Sequence, residues 1–267
     1  MNTASIRRPA VAGMFYPEDR GELEEEVDRY LLGAHPSTGP APKAIIAPHA
    51  GYAYSGPIAG SAYARVRPLR GAISRVILLG PSHRVGFRGV AASCATAFRT
   101  PLGDVPVDRE AVTALLRLPF VVEFDAAHRD EHGLEVHLPF LQKTLGRFSI
   151  VPLVVGDSTG EQVAQILDLL WGGPETLIVV SSDLSHYLSY DKAVTIDRET
   201  SDAIERLDPS KINFDQACGR IPVQGLLIEA KRHALTARTI DLRNSGDTAG
   251  DRRQVVGYGA YVFTPRS

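Results

Sequence analysis

The chain has 267 residues, 44% of them apolar and 22% charged, with a formal net charge of −2. That balance supplies no basic field for nucleic acid or an anionic membrane surface, so neither partner is expected. The length suits one large α/β domain over residues 1–267, long enough to bury a sizeable core. No apolar run can span a bilayer, and residues 1–8 lack an apolar signal core. The expected location is therefore the cytoplasm, with Cys94 and Cys218 reduced.

In chain order, Leu23, Val27, Tyr30 and Leu31 recur at helical spacing and predict an amphipathic helix over 22–32. Residues 33–42 are rich in Pro, Gly and Ser and read as a loop. A short apolar strand at 43–47 stops at Pro48, and a helix over 58–66 follows, with Pro57 in its first turn. A strand at 76–79 ends in Gly80-Pro81, and helical patterns cover 110–118 and 135–145. A strand at 150–155 ends in Gly156-Asp157, a helix covers 161–171, and a strand at 176–180 ends in Ser181-Ser182-Asp183. Helices at 191–207 and 223–231 precede two strands, 236–243 and 255–263, which pair across a turn at 244–251. Continuous apolar strands alternating with helices predict an α/β fold, with a central mostly parallel or mixed sheet covered by helices on both faces. No stretch has the composition of a linker, and no internal repeat is present.

Open α/β sheets bind ligands just beyond the carboxyl ends of their strands. Three predicted strand ends deliver a histidine within a few residues: His49, His83 and His186. The chain holds only eight histidines, so three at equivalent positions point to a shared site. Cys218 stands just before the helix at 223–231, where a helix N-terminus favours the thiolate, and Gly219 beside it permits close approach. Cys94 has no such setting and reads as a small packing residue. Two imidazoles and a thiolate suit iron, copper or zinc better than magnesium or calcium, which makes His49, His83 and Cys218 the candidate metal ligands.

Asp183 is either a fourth ligand or an acceptor that orients a histidine, and His186, three residues on, can face the same cavity. Within 128–137, His128 and His132 have the i, i+4 spacing of a helical metal pair. The plainer reading of that stretch is a salt-bridged helix start flanking the site. Glu135 and His137 can meet a neighbouring strand end, and are candidates for contacting substrate. The chain has no phosphate-binding Walker loop, no GxGxxG after its first strand and no G-x-S-x-G elbow.

The segments RRPAVAGMFYP from Arg7, APHAGYAYSG from Ala47, LLGPSH from Leu78, TPLGDVPVD from Thr100, EHGLEVHLPFL from Glu131, VPLVVG from Val151, SSDLSHY from Ser181 and CGRIPV from Cys218 together resemble the Memo family. Its bacterial and archaeal members are called AmmeMemoRadiSam system protein B. The resemblance implies a fold similar to that of the class III extradiol dioxygenases. Those enzymes hold non-haem iron with two histidines and a glutamate, and use another histidine as acid–base catalyst.

By that resemblance His49 and His83 take the two histidine positions, His186 takes the catalytic position with Asp183 before it, and Cys218 replaces the glutamate. The implied cofactor is Fe(II). Copper or zinc are the alternatives, because a thiolate is softer than a carboxylate. The implied function is a metal-dependent oxidoreductase, with Tyr54 placed to hydrogen-bond an oxygen ligand. The alternative is a non-catalytic metal- or peptide-binding scaffold. A blue-copper variant would draw on Met14 as axial ligand. The family name implies a radical-SAM protein and a third small protein as partners, beside an unknown small molecule or peptide.

Overall fold

The computed structural model describes residues 5–34 and 39–266, so part of the loop expected at 33–42 lies outside the described residues. The strands are β1 (Ile6–Arg7), β2 (Ala44–Ala47), β3 (Arg75–Pro81), β4 (Val90–Ala92), β5 (Ala97–Thr100), β6 (Gly103–Pro106), β7 (Val121–Glu123), β8 (Ser149–Val155), β9 (Thr176–Ser181), β10 (His186–Leu188), β11 (Leu235–Asn244) and β12 (Val255–Pro265). The helices are α1 (Arg20–Gly33), α2 (Tyr52–Ala64), α3 (Arg109–Leu115), α4 (Asp125–Arg129), α5 (His137–Leu145), α6 (Gly160–Leu170), α7 (Tyr190–Glu205) and α8 (Arg220–Arg232).

Nine of the described strands form one mixed sheet, in the order β10-β12-β2-β9-β3-β8-β4-β7, with β11 on β12. Its centre, β2-β9-β3-β8, is parallel. β12 joins β2, and β4 joins β8, in the antiparallel sense. All six residues of β9 and six of the seven in β3 are buried, which requires cover on both faces. Helices α1, α2 and α5 pack together, as do α3, α6 and α8. A small sheet, β1-β5-β6, sits apart from the main one. The expected mixed sheet flanked by helices is therefore present, and the two carboxy-terminal strands pair from Leu235↔Pro265 to Asn244↔Gly257.

Local chemistry sets the helix starts. The side chain of Asp19 accepts from the Glu22 N–H at 3.0 Å and opens α1, and Thr159 with Gln162 forms a reciprocal capping box at α6. Pro57 lies inside α2 rather than in its first turn. The helix starts earlier because the Tyr54 and Ser55 N–H groups close on the Gly51 carbonyl at 2.9 and 3.1 Å. The strands without a sequence signal, β1, β4, β5, β6, β7 and β10, have two to four residues each, too few for a period to register. Cys94 is exposed, so it is not the packing residue its small neighbours suggested. Among the described residues no helix is long and apolar enough to cross a membrane.

Candidate metal centre at the strand ends

The parallel centre of the sheet aims the carboxyl ends of β2, β3 and β9 at one place. His49 follows β2, His83 follows β3, and Ser181 ends β9 with Asp183 two residues on. The His49 and His83 rings meet edge to face, with centroids 4.9 Å apart. A third ring joins them: His132 stacks on His83 at 4.5 Å and stands edge-on to His49 at 5.4 Å. One donor atom from each of His49, His83 and His132 lies within 4.8 Å of the others.

Hydrogen bonds fix how two of these rings present themselves. Ser181 Oγ donates to the Gly133 carbonyl, so its lone pairs remain to accept from His49 Nδ1 at 2.6 Å. His49 therefore carries its proton on Nδ1 and turns the Nε2 lone pair inward. His83 Nδ1 meets Glu131 Oε1 at 2.8 Å, while the His83 backbone N–H donates to Oε2 at 2.7 Å. A carboxylate only accepts, so His83 also presents Nε2 as a lone pair. Gly133 N–H donates to Glu131 Oε1 at 2.8 Å, and a Cβ on Gly133 would stand 3.2 Å from that oxygen and 3.5 Å from the His83 ring. Glycine thus lets the 131–133 turn close over the two histidines.

His132 differs: its Nδ1 is buried without a hydrogen-bond partner, with Glu131 Oε1 3.4 Å away outside hydrogen-bond geometry. Burial, helped by the neighbouring histidines, holds the His49 imidazole well below its ordinary pKa. Burial and His83 push His132 down to about 4. Burial raises the Glu131 carboxyl, but the bonds from His83 and Gly133 outweigh it and leave the group below its usual range. The neutral imidazoles of His49 and His132 beside an ionised carboxylate are forms that a nitrogen-ligated metal site requires. The residues present therefore fit a first-row transition ion.

Asp183 and Cys218 flank this group. Asp183 Oδ1 accepts the His49 backbone N–H at 2.7 Å, and Oδ2 lies 3.9 Å from His49 Nε2. Of the two roles open for Asp183, orienting the His49 loop is the one its closest contact performs. Cys218 Sγ stands 3.3 Å from His49 Nε2 and accepts the Asp183 N–H at 3.3 Å. The expected thiolate is not favoured in the metal-free chain: burial first, and then the Asp183 carboxylate, push the thiol up to about 12. The start of α8 is too weak to reverse that. Gly219 serves close packing, since a Cβ there would fall 2.6 Å from the Ser181 carbonyl oxygen.

His83, His186 and Cys218 open onto a cavity of about 810 Å³, walled by Val85, Phe87, Val155 and Ile221 among others. His186 Nδ1 donates to the Leu184 carbonyl at 2.8 Å, which leaves Nε2 as its acceptor. His49 thus contacts Asp183 and Cys218, while His83, His186 and Cys218 border one cavity. Tyr54 lines a separate depression with Tyr258 and Tyr187; of these only Tyr187 also borders the histidine cavity.

Glu135 and His137 do not line the cavity. Glu135 is fully buried beneath the amino-terminal segment, accepting from Arg7, the N–H groups of Ala10 and Val11, and the Tyr16 hydroxyl. His137 is buried on α5, with Nδ1 on the Tyr63 hydroxyl at 2.9 Å. Met14 is 72% exposed and does not line the cavity. The His128–His132 pair does not form either: α4 ends at Arg129, and His128 turns away to bond the Ala91 carbonyl at 3.0 Å. Glu131, His132 and Ser181 are the residues that sequence reasoning left unassigned or misassigned. The one available signal was a polar run broken by Gly133, which weakens a helix there.

The family model described as Memo-like protein matches residues 7–262. A MEMO1 family protein of Aquifex aeolicus is 37% identical, covering 97% of this chain and 99% of its own length. Those of Methanopyrus kandleri and Sulfolobus acidocaldarius are each 36% identical, over 96% and 95% of this chain and 98% and 97% of their own lengths. Among solved structures, an uncharacterized protein from Escherichia coli K12 is similar at a TM-score of 0.49 and 12% identity, covering 80% of this chain and 98% of that one. With a match over nearly its whole length and relatives of this similarity, the chain belongs to the Memo-like protein family.

Proposed function

We propose that this protein is a metal-dependent oxidoreductase of dioxygenase-like character, acting on an organic substrate in the strand-end cavity. The supporting observation is the convergence of three imidazoles, two with their Nδ1 atoms tied back to Ser181 and Glu131, beside a cavity that also holds His186. His49, His83 and His132 would hold the ion, and Cys218 would stand at its flank. The ion is Fe(II) in this reading, with copper or zinc as the alternatives. When bound, such an ion supplies Lewis acidity and, for iron or copper, redox chemistry with oxygen.

The chain's own groups do the rest. The apolar wall of Val85, Phe87, Val155 and Ile221 keeps water from a bound substrate. Nε2 of His186 takes a proton from the substrate, while the Leu184 carbonyl holds the ring in place and accepts from the resulting imidazolium. Anaerobic metal analysis of wild type beside His49→Ala tests the site: near-stoichiometric iron lost in the variant supports it, and an empty wild type that takes up no first-row ion overturns it. Oxygen uptake with candidate substrates, abolished in His186→Ala, tests turnover.

A peptide-binding scaffold is the second reading. Its support is the pair of aromatic side chains at the cavity, Phe214 and Tyr187, which are 75% and 70% exposed. In that case His186→Ala leaves every measurable activity unchanged.

A further inference from the structure

At the opposite end of the sheet, the helix pair α6 and α8 brings together Asp168, Glu229 and His233, with one donor atom of each within 4.8 Å of the others. Asp168 lies in the last turn of α6, Glu229 in the last turn of α8, and His233 caps α8 four residues beyond Glu229. Three features separate this group from an ordinary solvated cluster. Glu229 is fully buried, and only its Oε1 is engaged, by Arg232 Nη1 at 2.6 Å. Its Oε2 is buried without a hydrogen-bond partner, and His233 Nε2 stands 3.5 Å away, outside bonding geometry. The His233 ring is held in one plane by Trp171, with ring centroids 3.8 Å apart and planes 6° from parallel.

An orphaned carboxylate oxygen, an imidazole nitrogen on the next turn and a second carboxylate from the neighbouring helix leave room for one shared cation. We propose that Asp168, Glu229 and His233 form a second divalent transition-metal site, distinct from the strand-end histidines. One nitrogen and two carboxylate oxygens suit zinc, nickel, cobalt or manganese, with water completing the shell. Metal–donor bonds of about 2.0–2.2 Å place donors up to roughly 4.2 Å apart. In a tetrahedral shell such bonds set donors about 3.3–3.6 Å apart; Glu229 Oε2 and His233 Nε2 already stand 3.5 Å apart, and the exposed Asp168 side chain is free to close on them.

Two cations stand nearby without blocking the position. Arg232 occupies the other oxygen of Glu229. Lys43 is tied to the carbonyls of Trp171, Gly173 and Thr176 at 2.6, 2.8 and 2.9 Å. Lys43 links the Trp171 carbonyl to that of Thr176, the residue where β9 begins, whereas Ser181 of the histidine site ends that strand. Five residue steps along a strand separate the two ends by about 17 Å.

Trp171 is the only tryptophan in the chain, so its fluorescence reports on this site alone. Titration with Ni²⁺, an open-shell quencher, is expected to give saturable quenching that EDTA reverses and prior Zn²⁺ blocks. Asp168→Asn, an exposed substitution, and Glu229→Gln are each expected to weaken it at least tenfold. His83→Ala, at the other site, leaves it intact. Absent or non-saturating quenching, an unchanged titration in Asp168→Asn, or loss of quenching in His83→Ala each overturns the proposal. Should Glu229→Gln fail to fold, Asp168→Asn alone decides.

Discussion

His83 and Glu131 hold each other at two points: ring Nδ1 to Oε1 at 2.8 Å, and backbone N–H to Oε2 at 2.7 Å. Both oxygens of one buried carboxylate therefore go to one residue, which fixes ring, tautomer and loop together. Replacing Glu131 with glutamine puts an amide donor against one of these donors, so one of the two contacts must fail. Glu131→Gln is expected to lower affinity for a first-row ion by about 10–100-fold, the range typical for partners of a ligating histidine. Competition against a chromophoric chelator measures it, with circular dichroism to confirm the fold. Unchanged affinity would remove Glu131 from the account of the site.

Which third donor accompanies His49 and His83 is open to a direct contrast. His132 belongs to the compact group of three nitrogens, and its Nδ1 is buried without a partner. Cys218 Sγ stands 3.3 Å from His49 Nε2, but it already accepts the Asp183 N–H. The expected outcome is that His132→Ala loses bound metal, while Cys218→Ser retains it to within tenfold. Elemental analysis of both variants decides, and the reverse ranking would make Cys218 the ligand.

The order of elements was legible in the sequence because β3, β8 and β9 are continuous apolar runs, each stopped by Gly, Pro or Ser-Ser-Asp at the sheet's carboxyl edge. The stops after β3 and β9 also delivered His83 and His186, and Pro48 after β2 delivered His49. His132 and Glu131 were not legible in the same way, since they lie on a turn between α4 and α5 with no strand end to announce them. Their place is set by contacts far along the chain, His83 to Glu131 across 48 residues and Ser181 to Gly133 across 48. The same holds for Glu135, whose polar character suggests a substrate contact but whose partner is Arg7, 128 residues away. Periodicity describes one element at a time, and these partners belong to different ones.

Glu135 yields a prediction that separates structure from chemistry. Arg7 is 6% exposed at its side chain and Glu135 is fully buried, and the carboxylate also accepts two backbone N–H groups and a tyrosine hydroxyl. Removing the acid leaves several donors without partners and the buried guanidinium without a counter-charge, its remaining bonds being to the His128 and Glu131 carbonyls. Glu135→Ala is expected to destabilise the fold by about 3–5 kcal/mol. The amino-terminal segment should become protease-sensitive well before the rest of the chain. Chemical denaturation and limited proteolysis read both effects. Wild-type stability combined with lost ligand binding would return Glu135 to the site.

His128 provides a pH signature. Burial holds its imidazole down at about 4, against an ordinary value near 6.5, with the bond to the Ala91 carbonyl opposing only part of the shift. The unfolded chain takes up its proton near pH 6.5, whereas the folded chain resists until about pH 4. More protons are bound in the unfolded state between those limits, so stability is intact above pH 6.5 and falls as the pH drops through that window. At pH 5 this one residue withdraws about 2 kcal/mol, or roughly 4–8 °C of melting temperature for a chain of this size. His128→Gln keeps a donor for the Ala91 carbonyl but cannot titrate. It is expected to melt lower than wild type at pH 7.5, yet to lose less between pH 7.5 and pH 5. Some slope remains, because burial also pushes His137 down, to about 3. Thermal melts of both proteins across that range test the assignment, and parallel curves would show that His128 is not the group responsible.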